Sequence, residues 1–305
     1  MSVDRVNYGD TRVYVNNILL TGISDCGINT ERSYEDLRSY GRYDTTDRIV
    51  KSDQIPKVNL SWILGESSSD PFFDHQSSGV ISVEKFNIKK RDIVGENIVS
   101  GAFLTSYSVD ASVGDVVTAQ AEYEGLAYSF SATGALNRSI QTSDSYRSFI
   151  PSKITVSSNF GEGQVSPFPI QSFQISVPIP RSPLKKLGSV IPDYRIPNLP
   201  TEASVSFSVI KNDITGMNFA PIILEKGRFT FEMQSCADIG KKYIVNNCSL
   251  TSISESINLD GNATVDFNYV SSLNNSTFIY RSFYERLLSS EGLELLSSEN
   301  LYLSA

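Results

Sequence analysis

Hydrophobic and polar residues alternate with a period of two along much of this chain. Tyr107, Val109, Ala111 and Val113 are interleaved with Ser108, Asp110 and Ser112. After Gly114-Asp115, Val117, Ala119, Ala121 and Tyr123 are interleaved with Thr118, Gln120 and Glu122. Alternation on both sides of a short turn predicts a β-hairpin with one buried face. Gly and Asp suit that turn because they tolerate positive φ. A second hairpin follows the same plan: Ile253, Ile257 and Leu259, the turn Asp260-Gly261, then Ala263, Val265, Phe267 and Tyr269. Glu255 breaks its pattern, standing where Val109 stands in the first, so the second hairpin is expected to be less buried there or to lie at an edge. Val58-Leu60-Trp62 and Val205-Phe207-Val209 predict one further alternating strand for each hairpin.

The resemblance between the two hairpins extends beyond periodicity. Residues 92–123 set against 238–269, a constant offset of 146, share 10 identities in 32 positions without a gap, among them Leu104-Thr105-Ser106 against Leu250-Thr251-Ser252. Average composition would give roughly two. A separate block keeps nearly the same offset, 147: Ile28, Leu37 and Gly41 meet Ile175, Leu184 and Gly188, and Val58, Leu60 and Trp62 meet Val205, Phe207 and Val209. Two blocks in register over some hundred positions predict a tandem duplication. The expected organisation is a first β domain at 1–134, a linker at 135–150, a second β domain at 151–275 and a C-terminal arm at 276–305. Helical spacing of Phe283, Leu287, Leu288, Leu293, Leu295 and Leu296 is read in the arm, interrupted by Gly292. Short helices are expected at Asp70–Phe73, where Asp caps and Pro follows, and near Asp213.

Before each strand of the 58–62 type lies a long, poorly periodic stretch, residues 31–57 and 178–204. Loops of that length in compact domains are usually functional or form interfaces. The first is charged; the second carries Pro178, Pro180, Pro183, Pro192, Pro197 and Pro200 and should be stiff and extended.

Composition narrows the function classes. The 305 residues suffice for two ordinary domains, and 40% hydrophobic with 20% charged residues is a soluble globular balance. The net charge of −8 argues against a protein that wraps nucleic acid with a basic face. Residues 1–10 hold no apolar signal core and no run of about 18 apolar residues occurs, so synthesis in the cytosol and no membrane partner are expected. Cys26, Cys236 and Cys248 form no ligand-spaced cluster and are read as reduced and structural.

Candidate chemistry is sparse. His75 is the only histidine, so it has no second histidine with which to share a metal, and no nucleophile elbow accompanies it. Asp44 could form a carboxylate dyad across a duplication only if the second copy supplied its partner, and offset 147 puts Ile191 there. Asp44, Asp47 and Asp53 do not have the spacing of an EF-hand loop. Gly161-Glu162-Gly163 reads as a short turn, and the aromatics fall at strand spacing, as core residues do. No catalytic residue, metal or cofactor is expected.

Two segments carry a family resemblance. Val13-Tyr14-Val15-Asn16-Asn17-Ile18-Leu19-Leu20-Thr21-Gly22-Ile23 resembles the opening strand and turn of bacteriophage tail tube (major tail) proteins. Leu104 to Gly125 is similar to that family's long hairpin, with a Leu-Thr-Ser start, apolar alternation and a Gly-Asp turn. The resemblance covers most of residues 11–130 and, through the repeat, 152–270. It implies a mainly β fold: two tandem tail-tube-like β-sandwich or barrel domains, each with a long hairpin and a short flanking helix. It also implies rings of six domains whose hairpins line a DNA-sized lumen, stacked through extended loops.

On this reading the lumen-facing residues are Ser108, Asp110, Ser112, Thr118, Gln120 and Glu122, with Ser254, Ser256, Asn258, Thr264, Asp266 and Asn268. None is Lys or Arg, as suits a conduit that double-stranded DNA must slide through. Inter-ring contacts are expected from Arg38, Arg42, Asp44, Asp47, Arg48 and Lys51, and from Lys185, Lys186 and Arg195. Two domains per chain make the ring a trimer with pseudo-hexameric symmetry. The implied partners are further copies of the chain and other tail proteins such as tape measure, terminator and baseplate hub, in a virion tail assembled in the host cytoplasm. A baseplate hub or distal tail protein of the same duplicated fold is the nearest alternative. A carbohydrate- or receptor-binding β-module is more remote, since it calls for a Trp and Tyr cluster and Trp62 is the only tryptophan.

Overall fold

The computed structural model describes residues 11–31, 34–37, 47–50, 55–65, 78–87, 92–131, 154–160, 163–165, 170–187, 189, 191–198, 200–211, 226–234, 239–256, 263–272, 278–284 and 300–302. These residues are mainly β, with antiparallel pairing throughout. The first ten strands are β1 (Thr11–Val15), β2 (Ile18–Leu19), β3 (Ile23–Glu31), β4 (Tyr34–Leu37), β5 (Asp47–Val50), β6 (Ile55–Ile63), β7 (Gly79–Asn87), β8 (Asp92–Ser112), β9 (Thr118–Glu124) and β10 (Ala127–Ser131). The next ten are β11 (Ile154–Phe160), β12 (Gly163–Val165), β13 (Ile170–Pro178), β14 (Arg181–Leu184), β15 (Tyr194–Pro197), β16 (Glu202–Ile210), β17 (Gly227–Gln234), β18 (Ile239–Ser256), β19 (Thr264–Ser272) and β20 (Phe278–Tyr284); β21 (Asn300–Tyr302) follows.

Each set of ten pairs in the same way. In the first, β2–β1–β7–β8–β10 form one layer and β3–β6–β9–β8 another, with β4–β5 a separate hairpin. In the second, β12–β11–β17–β18–β20 and β13–β16–β19–β18 repeat the two layers, and β14–β15 the hairpin. The registers repeat too. Leu104 faces Tyr123 and Leu250 faces Tyr269, each followed by a bulge whose threonine, Thr105 or Thr251, donates its Oγ1 hydrogen to the carbonyl of Glu122 or Asn268. Tyr34 pairs with Val50 as Arg181 pairs with Pro197.

One long strand in each half belongs to both layers. β8 pairs with β7 and β10 through its first half and with β9 through its second. It turns between layers at Gly101, with φ of 59°. A Cβ there would come within 2.7 Å of the Leu126 side chain, so glycine is required by space as well as by dihedral. β18 turns at Asn247, with φ of 57°; Asn is among the few other residues that adopt this conformation. Asn16 and Asn17 use the same tolerance in the tight turn between β1 and β2, at φ of 51° and 67°.

The core lies between the layers. Alternation seen in sequence is the alternation of burial: Pro56, Val58, Leu60 and Trp62 point inward from β6, and Ala203, Val205, Phe207 and Val209 from β16. Across the second half, Phe207 packs edge-on to Phe229 at 5.4 Å and stacks on Phe267 at 5.1 Å, while Phe173 meets Phe231 at 4.6 Å. Such aromatic pairs add to the burial of their large surfaces.

Some expectations meet the fold and others fall outside it. The helices at Asp70–Phe73 and near Asp213, and the linker 135–150, lie outside the described residues. Helical spacing over 276–305 is corrected where it can be examined: Phe278–Tyr284 is a strand on β18, in the place β10 takes on β8. The segment FIYRSFY is rich in aromatic and β-branched residues, which favour a strand beside an open edge. The long stretches 31–57 and 178–204 each contain a two-stranded hairpin.

Candidate functional site: a polar sheet face and its two edges

The two inner layers are one sheet. β13 pairs with β8 from Ser172 opposite Ser112 to Pro178 opposite Ser106. The hydrogen bonds Val113 N to Gln171 O, 2.8 Å, and Ile179 N to Thr105 O, 2.6 Å, stand at its two ends. The strand order is therefore β3–β6–β9–β8–β13–β16–β19–β18, eight strands drawn from both halves of the chain. One face is buried against the outer layers. The other is polar.

On the polar face, Ser108, Asp110, Ser112, Thr118, Gln120 and Glu122 alternate with the buried side chains of β8 and β9. Thr264, Asp266 and Asn268 do the same on β19, and Ser254 and Ser256 share that face of β18; Asn258 lies outside the described residues. Serines extend the face onto strands that sequence reasoning did not assign to it: Ser172 and Ser176 on β13, Ser204, Ser206 and Ser208 on β16, Ser61 on β6. Their alternation with Val205, Phe207 and Val209 was readable, but their adjacency to the hairpins was not. A trough of about 710 Å³ runs along this face, lined from Thr118 and Asp110 across Gln174 and Ser206 to Asp266 and Ser254.

The face is acidic. Asp25, Asp110, Glu122, Glu124, Glu202 and Asp266 occupy its positions, and Lys57, opposite Glu124, is the one cation among the described residues of this face; Lys241 and Lys242 belong to the outer-layer part of β18. Burial raises the Asp110 carboxyl above the usual carboxylate range, and a hydrogen bond from the Gln174 side chain partly offsets this.

Where the two halves meet, the buried side is also welded. Tyr107 and Tyr243, both buried, share a hydrogen bond of 2.9 Å between their hydroxyls. The β14–β15 hairpin reaches across onto the first half. Arg181 donates from Nε to the Leu104 carbonyl at 2.8 Å and lies 5.1 Å above the Phe103 ring; Tyr194 meets the same ring edge-on. Arg195, only 2% exposed, pairs with Glu124 at 2.6 Å. Its guanidinium is thus engaged within the chain. Lys185 and Lys186 remain at the surface, with Lys186 paired to Asp193 at 2.9 Å. Asp47 and Arg48 belong to β5, while Arg38, Arg42, Asp44 and Lys51 lie outside the described residues.

Among the described residues no cluster of three or more His, Cys, Asp or Glu is placed to hold a metal. Cys26 and Cys248 are free thiols. Burial pushes them up to about 11 and about 12, with Asp25 adding to the first, so their thiolates are disfavoured. Cys236 and His75 lie outside the described residues.

The sheet ends in two edges. Among the described residues, β3 pairs only with β6, and the Ser249–Ser256 half of β18 pairs only with β19. Thr251 to Ser256 are all exposed, whereas their counterparts Thr105 to Asp110 are half-buried or buried beneath β13 and Tyr243.

No protein-family model matches this sequence, and no curated protein matches it. Solved structures give partial likenesses. The sheath/tube terminator of an extracellular contractile injection system, PVC, in its extended state aligns at 11% identity and a TM-score of 0.36, over 42% of this chain and 97% of its own. The tube-terminating cap of the anti-feeding prophage aligns at 13% and 0.34, over 44% and 100%. A chain of the anti-feeding prophage baseplate aligns at 15% and 0.28, over 40% and 91%.

Proposed function

We propose that the chain is a structural subunit of a phage-type tail tube, a tandem pair of tube domains of which three chains close a pseudo-hexameric ring around a DNA conduit. The observation that carries this reading is the eight-stranded sheet, continuous across both halves, with an acidic face on which Lys57 is the one cation among the described residues. Phosphate contacts through Lys and Arg would arrest a passing duplex, whereas carboxylates and serines leave it hydrated and unbound. The size is suitable. Three such sheets joined edge to edge make a barrel of 24 strands. At about 4.8 Å between strands and about 40° of tilt, its diameter is roughly 50 Å, leaving a duplex-sized lumen after side chains are subtracted.

The charged hairpin β4–β5 and the proline-rich hairpin β14–β15 stand outside the inner sheet and would alternate around the ring. Lys185 and Lys186, exposed at that hairpin, are the residues this reading sets against a neighbouring ring. Self-stacking is heterologous, so it continues as an open filament. The other partners on this reading are the tape measure, terminator and baseplate hub. Electron microscopy of the purified full chain tests it. Hollow tubes built of three-chain rings are expected. A protein that stays monomeric at high concentration overturns the reading, and rings that never stack assign the chain to the hub or distal tail role instead.

A further inference from the structure

The outer layers of the two halves end on equivalent strands that are finished differently. β10 closes the first layer on β8, from Ala127 opposite Ser100 to Ser131 opposite Glu96. β20 closes the second on β18, with Phe278 opposite Val245 and Arg281 opposite Lys242. At the offset of 146 that relates β8 to β18, Tyr128, Ser129, Phe130 and Ser131 stand where Phe278, Ile279, Tyr280 and Arg281 stand. The far side of β20 carries a further strand. There β21 sets Tyr302 opposite Ile279, Leu301 opposite Tyr280 and Asn300 opposite Arg281. Among the described residues the far side of β10 carries no strand.

An edge of this composition invites pairing. Free sheet edges are normally guarded by charge or proline. The open end of the inner sheet follows that rule: Glu255 forms an exposed ion pair with Lys211, which bonds the Ala263 backbone as Leu64 bonds that of Val117. The segment Ala127-Tyr128-Ser129-Phe130-Ser131 has neither charge nor proline, and its first four residues are exposed, Phe130 by 60%. Its two rings are nevertheless fixed. Tyr128 donates its hydroxyl hydrogen to Asn97 Oδ1 at 2.8 Å. Phe130 lies over Gly95, where a Cβ would meet the ring at 3.1 Å. Aromatics already held in place lose little freedom when a partner arrives.

We infer that β10 is a docking edge for an extended segment of another protein, added antiparallel along Ser129–Ser131 as β21 is added along Ile279–Arg281. A second copy of β21 is not the occupant, because each chain has one β21 and it is seated on β20. The template sets the chemistry of the partner. An aliphatic side chain faces Phe130, as Leu301 faces Tyr280, and a large uncharged one faces Ser129, as Tyr302 faces Ile279. Neither position takes a charge, since this stretch of β10 offers no counter-charge. Backbone hydrogen bonds supply the affinity and the contact with Phe130 the selectivity, as in strand addition generally. The inference goes beyond the ring reading and does not use it, because β10 lies in the outer layer of a single chain.

The full chain, dilute enough to be monomeric, is titrated with a synthetic peptide of residues 299–305 and followed by hydrogen exchange. The peptide carries the sequence that the equivalent edge accepts and stands in for the partner's segment. At about ten times its Kd, exchange over Ala127–Ser131 should slow roughly tenfold. Phe130→Ser should weaken binding by about tenfold, and Tyr280→Ser should leave it unchanged. A peptide carrying Leu301→Pro should not bind, because it loses a backbone donor and the extended pairing. Absence of protection at millimolar peptide overturns the inference. So does binding that survives Phe130→Ser but not Tyr280→Ser, which puts the peptide on β20; both results leave the ring reading untouched. Protection of Ala127–Ser131 that appears on concentrating the chain alone makes a second copy the occupant and overturns it as well.

Discussion

Position 109 and position 255 occupy equivalent places in two hairpins that pair in the same way, and one holds valine while the other holds glutamate. Val109 is fully buried, as is Leu64, and its strand β8 is covered by β13 and by Tyr243 of β18. Glu255 is exposed and paired with Lys211, at an edge nothing described covers. The backbone is shared, down to the bulge and its threonine. The side chains therefore report what each hairpin faces rather than how it folds. A residue can be read as core or surface only when the neighbour of its strand is known.

Exchanging the chemistry of the two places breaks or upholds that contrast most severely. Val109→Glu would place a carboxylate at a fully buried position. A loss of about 3–5 kcal/mol in urea denaturation is expected, the scale of an uncompensated buried charge. Adding Leu64→Lys should recover part of it. The reverse change, Glu255→Val with Lys211→Leu, removes an exposed ion pair and should alter monomer stability by no more than about 1 kcal/mol. A Val109→Glu variant as stable as wild type would mean that the junction between halves is open in solution.

A second pair of equivalent positions sharpens the comparison at the backbone. Gly101 and Asn247 make the same turn from one layer to the other. Gly101→Ala adds a Cβ at positive φ and within 2.7 Å of Leu126, so a loss of about 1–3 kcal/mol is expected. Asn247→Gly relieves a residue that already tolerates the conformation, and should change stability by no more than about 0.5 kcal/mol. Thermal unfolding of the two variants side by side measures the difference.

The same contrast explains what was legible in the sequence. Alternation marked the inward side chains of β6, β8, β9, β16 and β19, because a half-buried strand leaves its period in the residues themselves. The polar side of the hairpins was legible for the same reason. That β13 would add its serines to that face was not, since strand neighbours in a sheet are set by long-range pairing and leave no local pattern. The partner of Arg195 was not legible for a related reason. Its charge and its place in a long proline-rich stretch suggested an inter-ring contact, and nothing local pointed to Glu124, 71 residues away, with which it pairs inside the chain. Glu255 was the exception: as the one misfit in a regular alternation it pointed to an edge before any edge was visible.

The smallest expected effect concerns Asp110, whose equivalent in the second hairpin is Ser256. Asp110 lies in the closed junction opposite Gln174, where burial raises its carboxyl above the ordinary range of about 3.9. A carboxyl raised on folding binds its proton more tightly in the folded state. Its ionised form therefore opposes folding at neutral pH, and the penalty fades as pH falls through the raised folded value and then the unfolded one. Asp110→Asn keeps an acceptor for Gln174 and removes the charge. The variant should be slightly more stable than wild type at pH 7, by no more than about 0.5 kcal/mol because the side chain still reaches solvent. The two should converge near pH 3. On the function proposed above, a carboxylate retained at a small cost to folding adds to the acidic charge with which this face would repel a passing polyanion. A wild type more stable than Asp110→Asn at neutral pH would show instead that the charge serves the junction.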